Sequence, residues 1–159
     1  MGSGKSTVGR ALAERLGRPF SDSDPEIVAE TGRTVRELAD EIGVEEMHEL
    51  ESRHLLAALE RPEPAVIAAA ASTIEDPEAR DALRGRGVQV IWLRAAGAEL
   101  TRRFLLRPHR PLFGKRPREL LAEQAAERDP LFAALDPIAI DTEGKGVDAV
   151  VEEALAALQ

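Results

Sequence analysis

The chain has 159 residues, enough for one domain spanning residues 1–159 that buries most of what its unfolded form exposes. At 43% hydrophobic and 31% charged it is neither disordered nor fibrous, and a formal net charge of −8 argues against nucleic acid as a partner, because phosphate backbones select basic surfaces. The absence of cysteine excludes disulfides and thiolate zinc sites. With no apolar run of membrane-spanning length and no signal pattern, a cytoplasmic protein with no membrane partner is expected.

In chain order, residues 6–16 place Val8, Ala11, Leu12 and Leu16 on one helical face, and Gly17 stops the helix. Phe20 and Ser21 make a short extended entry to Asp22-Ser23-Asp24, where Asp24 is expected to cap a helix whose first turn holds Pro25. Thr34 and Glu37 carry a capping-box signature for a short helix ending near Gly43. A longer helix covers residues 45–59 until Pro62 and Pro64 break it. Residues 65–68 read as a buried strand and 88–93 as a second. Between them a helix starts at Asp76-Pro77 and closes at Gly85 and Gly87. A helix over 98–106 gives way to a basic, proline-containing loop over 107–118. Another helix runs to about Arg128, a last strand covers 137–141 and a last helix 147–158. Strands separated by helices imply a parallel sheet covered on both faces.

Gly2-Ser3-Gly4-Lys5-Ser6-Thr7 is the distal part of G-x-x-x-x-G-K-[ST]. Glycines let backbone N–H groups converge on an anion, Lys5 neutralises the terminal phosphates of a nucleotide, and the Ser6 hydroxyl ligates magnesium. The helix opening at Ser6 turns its positive end to the phosphate. A Gly/Ser-rich tag remnant would look similar, but would not run directly into an amphipathic helix. The motif's first glycine and its preceding hydrophobic strand are not in the sequence. Loss of that central strand would leave two rows of backbone groups unpaired, at about 1–3 kcal/mol per unsatisfied group. The chain is therefore expected to start within a longer sequence, with Met1 in the loop just before Gly2.

With Asp22-Ser23-Asp24, Arg110-Pro111-Leu112-Phe113, Glu127 to Phe132 (ERDPLF) and the late Ile138-Ala139-Ile140-Asp141-Thr142 in the same order, the chain resembles the shikimate kinase family along nearly its whole length. The resemblance implies an α/β, three-layer P-loop kinase fold, with a parallel sheet of about five strands of which the first is missing here, and a mobile basic lid. It implies a monomeric phosphotransferase of aromatic amino acid biosynthesis that uses ATP and Mg2+. By position it makes Asp22 the partner of Ser6 at the metal. Asp24 becomes the carboxylate that orients or deprotonates the acceptor hydroxyl, and Arg110 the lid arginine over phosphate and substrate. Arg128 would hold the substrate carboxylate and Arg103 would pack on adenine.

Each residue has a plainer reading. Asp24 would serve as a helix cap, Arg128 as a helix-end charge favoured by the dipole, and the basic loop as ordinary surface. Departures from the family pattern fall in the acceptor pocket. Its second carboxylate-binding arginine is replaced by His48 in Gly43-Val44-Glu45-Glu46-Met47-His48, which lacks the bidentate fork. Three glycines after the central strand become Ala70, Ala71 and Ser72, whose side chains narrow the pocket. An adenine-side proline becomes Val147. His48, Glu49 and His54 do not form a transition-metal site, because the two histidines do not share a helical face.

The expected activity is ATP-dependent phosphorylation of a hydroxyl on a small hydroxylated acid, shikimate first. The alternatives are a sugar-acid kinase on the same scaffold and a nucleotide-binding module without turnover.

Overall fold

The computed structural model describes residues 2–106 and 115–159. Helices and short strands alternate along it: α1 (Lys5–Leu16), β1 (Phe20–Asp22), α2 (Ser23–Thr31), α3 (Val35–Ile42), α4 (Val44–Leu59), β2 (Val66–Ala68), a 3-10 turn (Ala71–Glu75), α5 (Pro77–Leu83), β3 (Ile91–Arg94), α6 (Gly97–Leu105), α7 (Pro117–Ala133), β4 (Ile138–Asp141) and α8 (Val147–Ala157).

Local chemistry sets most boundaries. Gly17, at φ 63°, ends α1 and donates its N–H back to the carbonyls of the last turn. The capping box of α3 is complete, with the Thr34 N–H donating to Glu37 Oε2 at 2.7 Å and the Glu37 N–H donating to Thr34 Oγ1 at 3.2 Å. Asp76 caps α5 by accepting the Glu78 N–H at 2.9 Å, with Pro77 opening the helix.

Three expectations need correction. Asp22, not Asp24, caps α2, because α2 begins directly where β1 ends and the Asp22 carboxylate accepts the Asp24 N–H at 3.3 Å. That releases the Asp24 side chain from capping. Strand β3 starts at Ile91 rather than Val88, since Gly87, at φ 86°, turns the chain and the Val88 N–H is taken by Gly85. Helix α7 starts at Pro117, inside the expected loop, and runs past Arg128 to Ala133 despite Pro130. Proline removes one helix donor, but Phe132 stacks on Trp92 of β3 at 5.5 Å between ring centroids, which holds the last turn down. Arg128 is therefore interior to its helix and buried, not a helix-end charge. Arg110 and the rest of 107–114 lie outside the described residues.

The expected parallel pairing is present, in two parts. β1 pairs in parallel with β2, placing Asp22 beside Ala68, and β3 pairs in parallel with β4, placing Arg94 beside Asp141. Among the described residues these are two separate two-stranded sheets. An apolar slot of about 1240 Å³ lies against β2 and β3, lined by Val66, Ile67, Ile91 and Leu93 among others, with Val8 and Leu12 of α1 on its wall. Neither β1 nor β4 borders it, so the slot separates the inner edges of the two sheets.

The apolar faces pack in three groups. Val8 and Leu12 of α1 meet Ile140 of β4 and Val150, Val151 and Ala154 of α8. Ile27, Leu38, Ala39 and Met47 join α2, α3 and α4, while Phe104, Leu120 and Leu121 join α6 to α7. The first group seats α1, and with it the glycine-rich turn, at the carboxyl ends of the strands, where open α/β sheets bind ligands.

Candidate active site

Gly2 and Gly4 take left-handed backbone conformations, at φ 78° and 96°, which side chains other than glycine's rarely adopt. Gly4 is the N-cap of α1 and no side chain caps the helix, so its first N–H groups remain available to an anion. One cavity gathers these glycines with Lys5, Ser6, Asp22, Asp24, His48 and Arg128. Ala70 and Ala71 also border it. Ala70 adopts an ordinary extended conformation at φ −61°, so the turn after β2 needs no glycine and carries methyl groups at the cavity wall.

The cavity also holds residues that the sequence reading missed. Glu51, one turn after His48 on α4, is buried and accepts a short hydrogen bond from the Ser72 hydroxyl. Burial pushes its carboxyl up to about 7. Asp24 adds to the rise, while the Ser72 hydrogen bond, Arg128 and Lys5 oppose it. The signal was a carboxylate on the buried face of α4, in line with Met47, Ser52, Leu55 and Ala58. Gln124 lies one turn before Arg128 on α7 and also borders the cavity. Its Oε1 and the Ser23 hydroxyl are buried polar atoms without a hydrogen-bond partner.

Arg128 donates from Nε to Glu75 Oε1 at 2.5 Å. The other Glu75 oxygen lies 3.7 Å from His48 Nδ1, an electrostatic contact too long for a hydrogen bond. Burial lowers the pKa of His48. Glu75 raises it in opposition and Arg128 lowers it further, so the imidazole is mostly neutral at pH 7.

Arg103 sits beside the glycine-rich turn: a Cβ added at Gly2 would come within 3.4 Å of Arg103 Cβ. Its guanidinium is fixed by Glu99 at 2.6 Å and by the hydroxyl and carbonyl of Thr142 at 3.0 and 3.1 Å. It does not border the cavity that holds Lys5 and Arg128. His54 is also separate, paired with Glu30 at 2.9 Å.

The Ser6 hydroxyl and the Asp22 carboxylate fit a hard divalent cation, since both are oxygen donors on one cavity. No group of three or more His, Asp or Glu able to hold a metal occurs among the described residues. Two protein oxygens completed by phosphate oxygens and water is a donor set that suits magnesium.

A family model described as shikimate kinase matches residues 1–159. A shikimate kinase of Paramagnetospirillum magneticum is 37% identical over 144 residues, covering 90% of this chain and 73% of that one. The structure of an Acinetobacter baumannii shikimate kinase in complex with shikimate superposes with a TM-score of 0.92 at 30% identity, covering 99% of this chain and 88% of the other. A Sinorhizobium meliloti gluconokinase superposes with a TM-score of 0.69 at 27% identity, covering 99% and 86%. The P-loop kinase fold is therefore shared along the whole described chain. A match of this extent, on a chain whose glycine-rich turn and Asp22 and Asp24 face one cavity, settles its kinship: the chain belongs to the shikimate kinase family.

Proposed function

We propose that this protein transfers the γ-phosphoryl group of ATP to a ring hydroxyl of shikimate, giving shikimate 3-phosphate and ADP. The observation that carries the reading is that one cavity is bordered by Lys5 and Ser6, at the start of α1, and by the buried Arg128. A small acid anchored at Arg128 can then present a hydroxyl to a phosphate held at Lys5.

Asp24 orients the acceptor hydroxyl and takes its proton as the oxygen attacks the γ-phosphorus and the bond to the β-phosphate oxygen breaks. Lys5 and the N–H groups at the start of α1 hold the transferring phosphoryl oxygens. Ser6 and Asp22 would hold Mg2+, which supplies charge neutralisation across the β- and γ-phosphates. Arg103 packs on the adenine side. Arg128 receives the acceptor carboxylate, with His48, Ala70 and Ala71 shaping the rest of the pocket. We place the protein as a monomer in the cytoplasm, in aromatic amino acid biosynthesis. No described helix is long and apolar enough to cross a membrane.

The likeness to a gluconokinase, with methyl groups at Ala70 and Ala71, favours a sugar acid as the second choice of acceptor. A coupled ADP-release assay with ATP and Mg2+ separates the two. Shikimate is expected to stimulate turnover well above gluconate, with a single phosphate ester seen by 31P NMR. Faster turnover of gluconate would replace shikimate as acceptor. ATP binding without acceptor-stimulated turnover would make the chain a nucleotide-binding module.

A further inference from the structure

We infer that Glu75 is a positioning residue for acceptor recognition, fixing Arg128 through its Nε so that the far edge of the guanidinium is left for a substrate carboxylate. The inference rests on the reading that the acceptor is an acid.

Glu75 closes the 3-10 turn after β2 and reaches two other elements. One carboxylate oxygen takes the Arg128 Nε–H of α7 at 2.5 Å, and the other faces His48 Nδ1 of α4 at 3.7 Å. Arg128 is buried, and Glu75 supplies its hydrogen bond among the described residues. A guanidinium has five N–H donors in a planar fork, so engaging Nε alone leaves the Nη1–Nη2 edge for bidentate recognition. Arg128 and His48 border the cavity, but Glu75 does not. The carboxylate therefore stands behind the two recognising side chains rather than in the acceptor's place.

Two opposing effects follow from that position. The negative charge of Glu75 disfavours an incoming carboxylate, while its hydrogen bond holds the guanidinium in register. Glu75 is 36% exposed on its side chain, so solvent screens its charge, whereas the Arg128 side chain is only 8% exposed and held in one orientation. Orientation wins, as it does where outer-shell carboxylates fix metal ligands. Among the described residues, the charged groups that act on the His48 imidazole are Glu75 and Arg128. Removing Glu75 leaves burial and Arg128 unopposed, so it lowers the imidazole pKa.

The test compares wild type, Glu75→Ala and Glu75→Gln. In the coupled assay, Glu75→Ala is expected to raise the KM for shikimate on the order of tenfold, with kcat and the KM for ATP within about twofold. Glu75→Gln keeps an oxygen for the Arg128 Nε–H and should fall between. An unchanged shikimate KM in Glu75→Ala overturns the inference, and a lower one shows instead that Glu75 competes with the acceptor. If wild type does not turn over shikimate, that failure belongs to the acceptor assignment. NMR then tests Glu75 directly: the His48 pKa must fall and the Arg128 Nε–H resonance must shift in Glu75→Ala, and constancy of both overturns the inference.

Discussion

At the residue scale, the proposed function divides the residues of one cavity into those that would act on phosphate and those that would act on the acceptor. Asp24 lies between these roles, since capping of α2 falls to Asp22 and leaves the Asp24 carboxylate on the cavity. Asp24→Asn is expected to lower kcat by about 10²–10⁴ while ATP affinity, measured by calorimetry, stays within about threefold. A kcat near wild type would remove Asp24 from the proton transfer. Glu51 makes a different prediction, on stability. Its carboxyl rises from the ordinary 4.5 to about 7 in the folded chain. Between those values the native state keeps a proton that the unfolded chain releases, so stability falls as pH rises across that window and levels off above it. The rise corresponds to a loss on the order of 3 kcal/mol at full ionisation. Glu51→Gln keeps an acceptor for Ser72 without the charge, so its Tm should match wild type near pH 4 and exceed it near pH 8. A wild type that gains on the variant with rising pH would refute this. The glycine-rich turn was legible in the sequence because Gly4, Lys5 and Ser6 are neighbours at the start of one helix. Glu51 and Ser72, by contrast, are 21 residues apart, and Glu75 and Arg128 are 53 apart. No local pattern announces such a pair; the fold has to bring it together.

At the scale of elements, boundaries followed local rules where a single interaction sets them, as with the capping box at Thr34 and the left-handed Gly17. They diverged where tertiary packing outweighed a local preference. Pro130 signals a helix end, yet α7 continues because Phe132 is stacked on Trp92, far away in sequence. The turn after β2 was likewise read for its missing glycines, not for the 3-10 conformation that Ala71–Glu75 adopts. The seating of α1 gives a quantitative test. Gly9 is in the helix interior, where alanine would gain about 1 kcal/mol of helix propensity. A Cβ at Gly9, however, would lie 2.8 Å from Phe20 Cε2 and 3.8 Å from Ala68 Cβ, against both strands of the first sheet. Phe20 is also held by Arg10, whose guanidinium lies 4.9 Å from its ring centroid. Overpacking of this kind costs about 1–3 kcal/mol, so the clash outweighs the propensity gain. Gly9→Ala should lower stability by about 1 kcal/mol in urea unfolding and raise the KM for ATP, because α1 carries Lys5 and Ser6. A more stable variant would mean that the ring moves aside freely.

At the scale of the molecule, the slot between the two sheets dominates. β2 and β3 each have a partner on one side only among the described residues, and both turn toward a space lined by apolar side chains. β2 is parallel to β1 and β3 to β4, so a strand joining either inner edge in the same sense would continue a parallel sheet, and the glycine-rich turn and α1 would follow it in the chain. It would give hydrogen-bond partners to both inner edges, each net bond contributing about 0.5–1.5 kcal/mol, and would shield Val66, Ile67, Ile91 and Leu93 from water. A chain lengthened ahead of Gly2 by about six alternating Val and Ile residues, the usual length of a strand, is therefore expected to be more stable. A gain of several kcal/mol corresponds to a Tm increase of about 10 °C for a domain of this size. Trp92, the single tryptophan in the chain, borders the slot and reports on it, so its emission should shift to the blue. The control carries alternating Gly and Asp at the same length, which can neither fill the slot nor bury its surface. Equal Tm and emission in the two lengthened chains would show that the slot does not take a strand. A rise confined to the apolar one, with tighter ATP binding, would tie the sheet's closure to the posture of the glycine-rich turn.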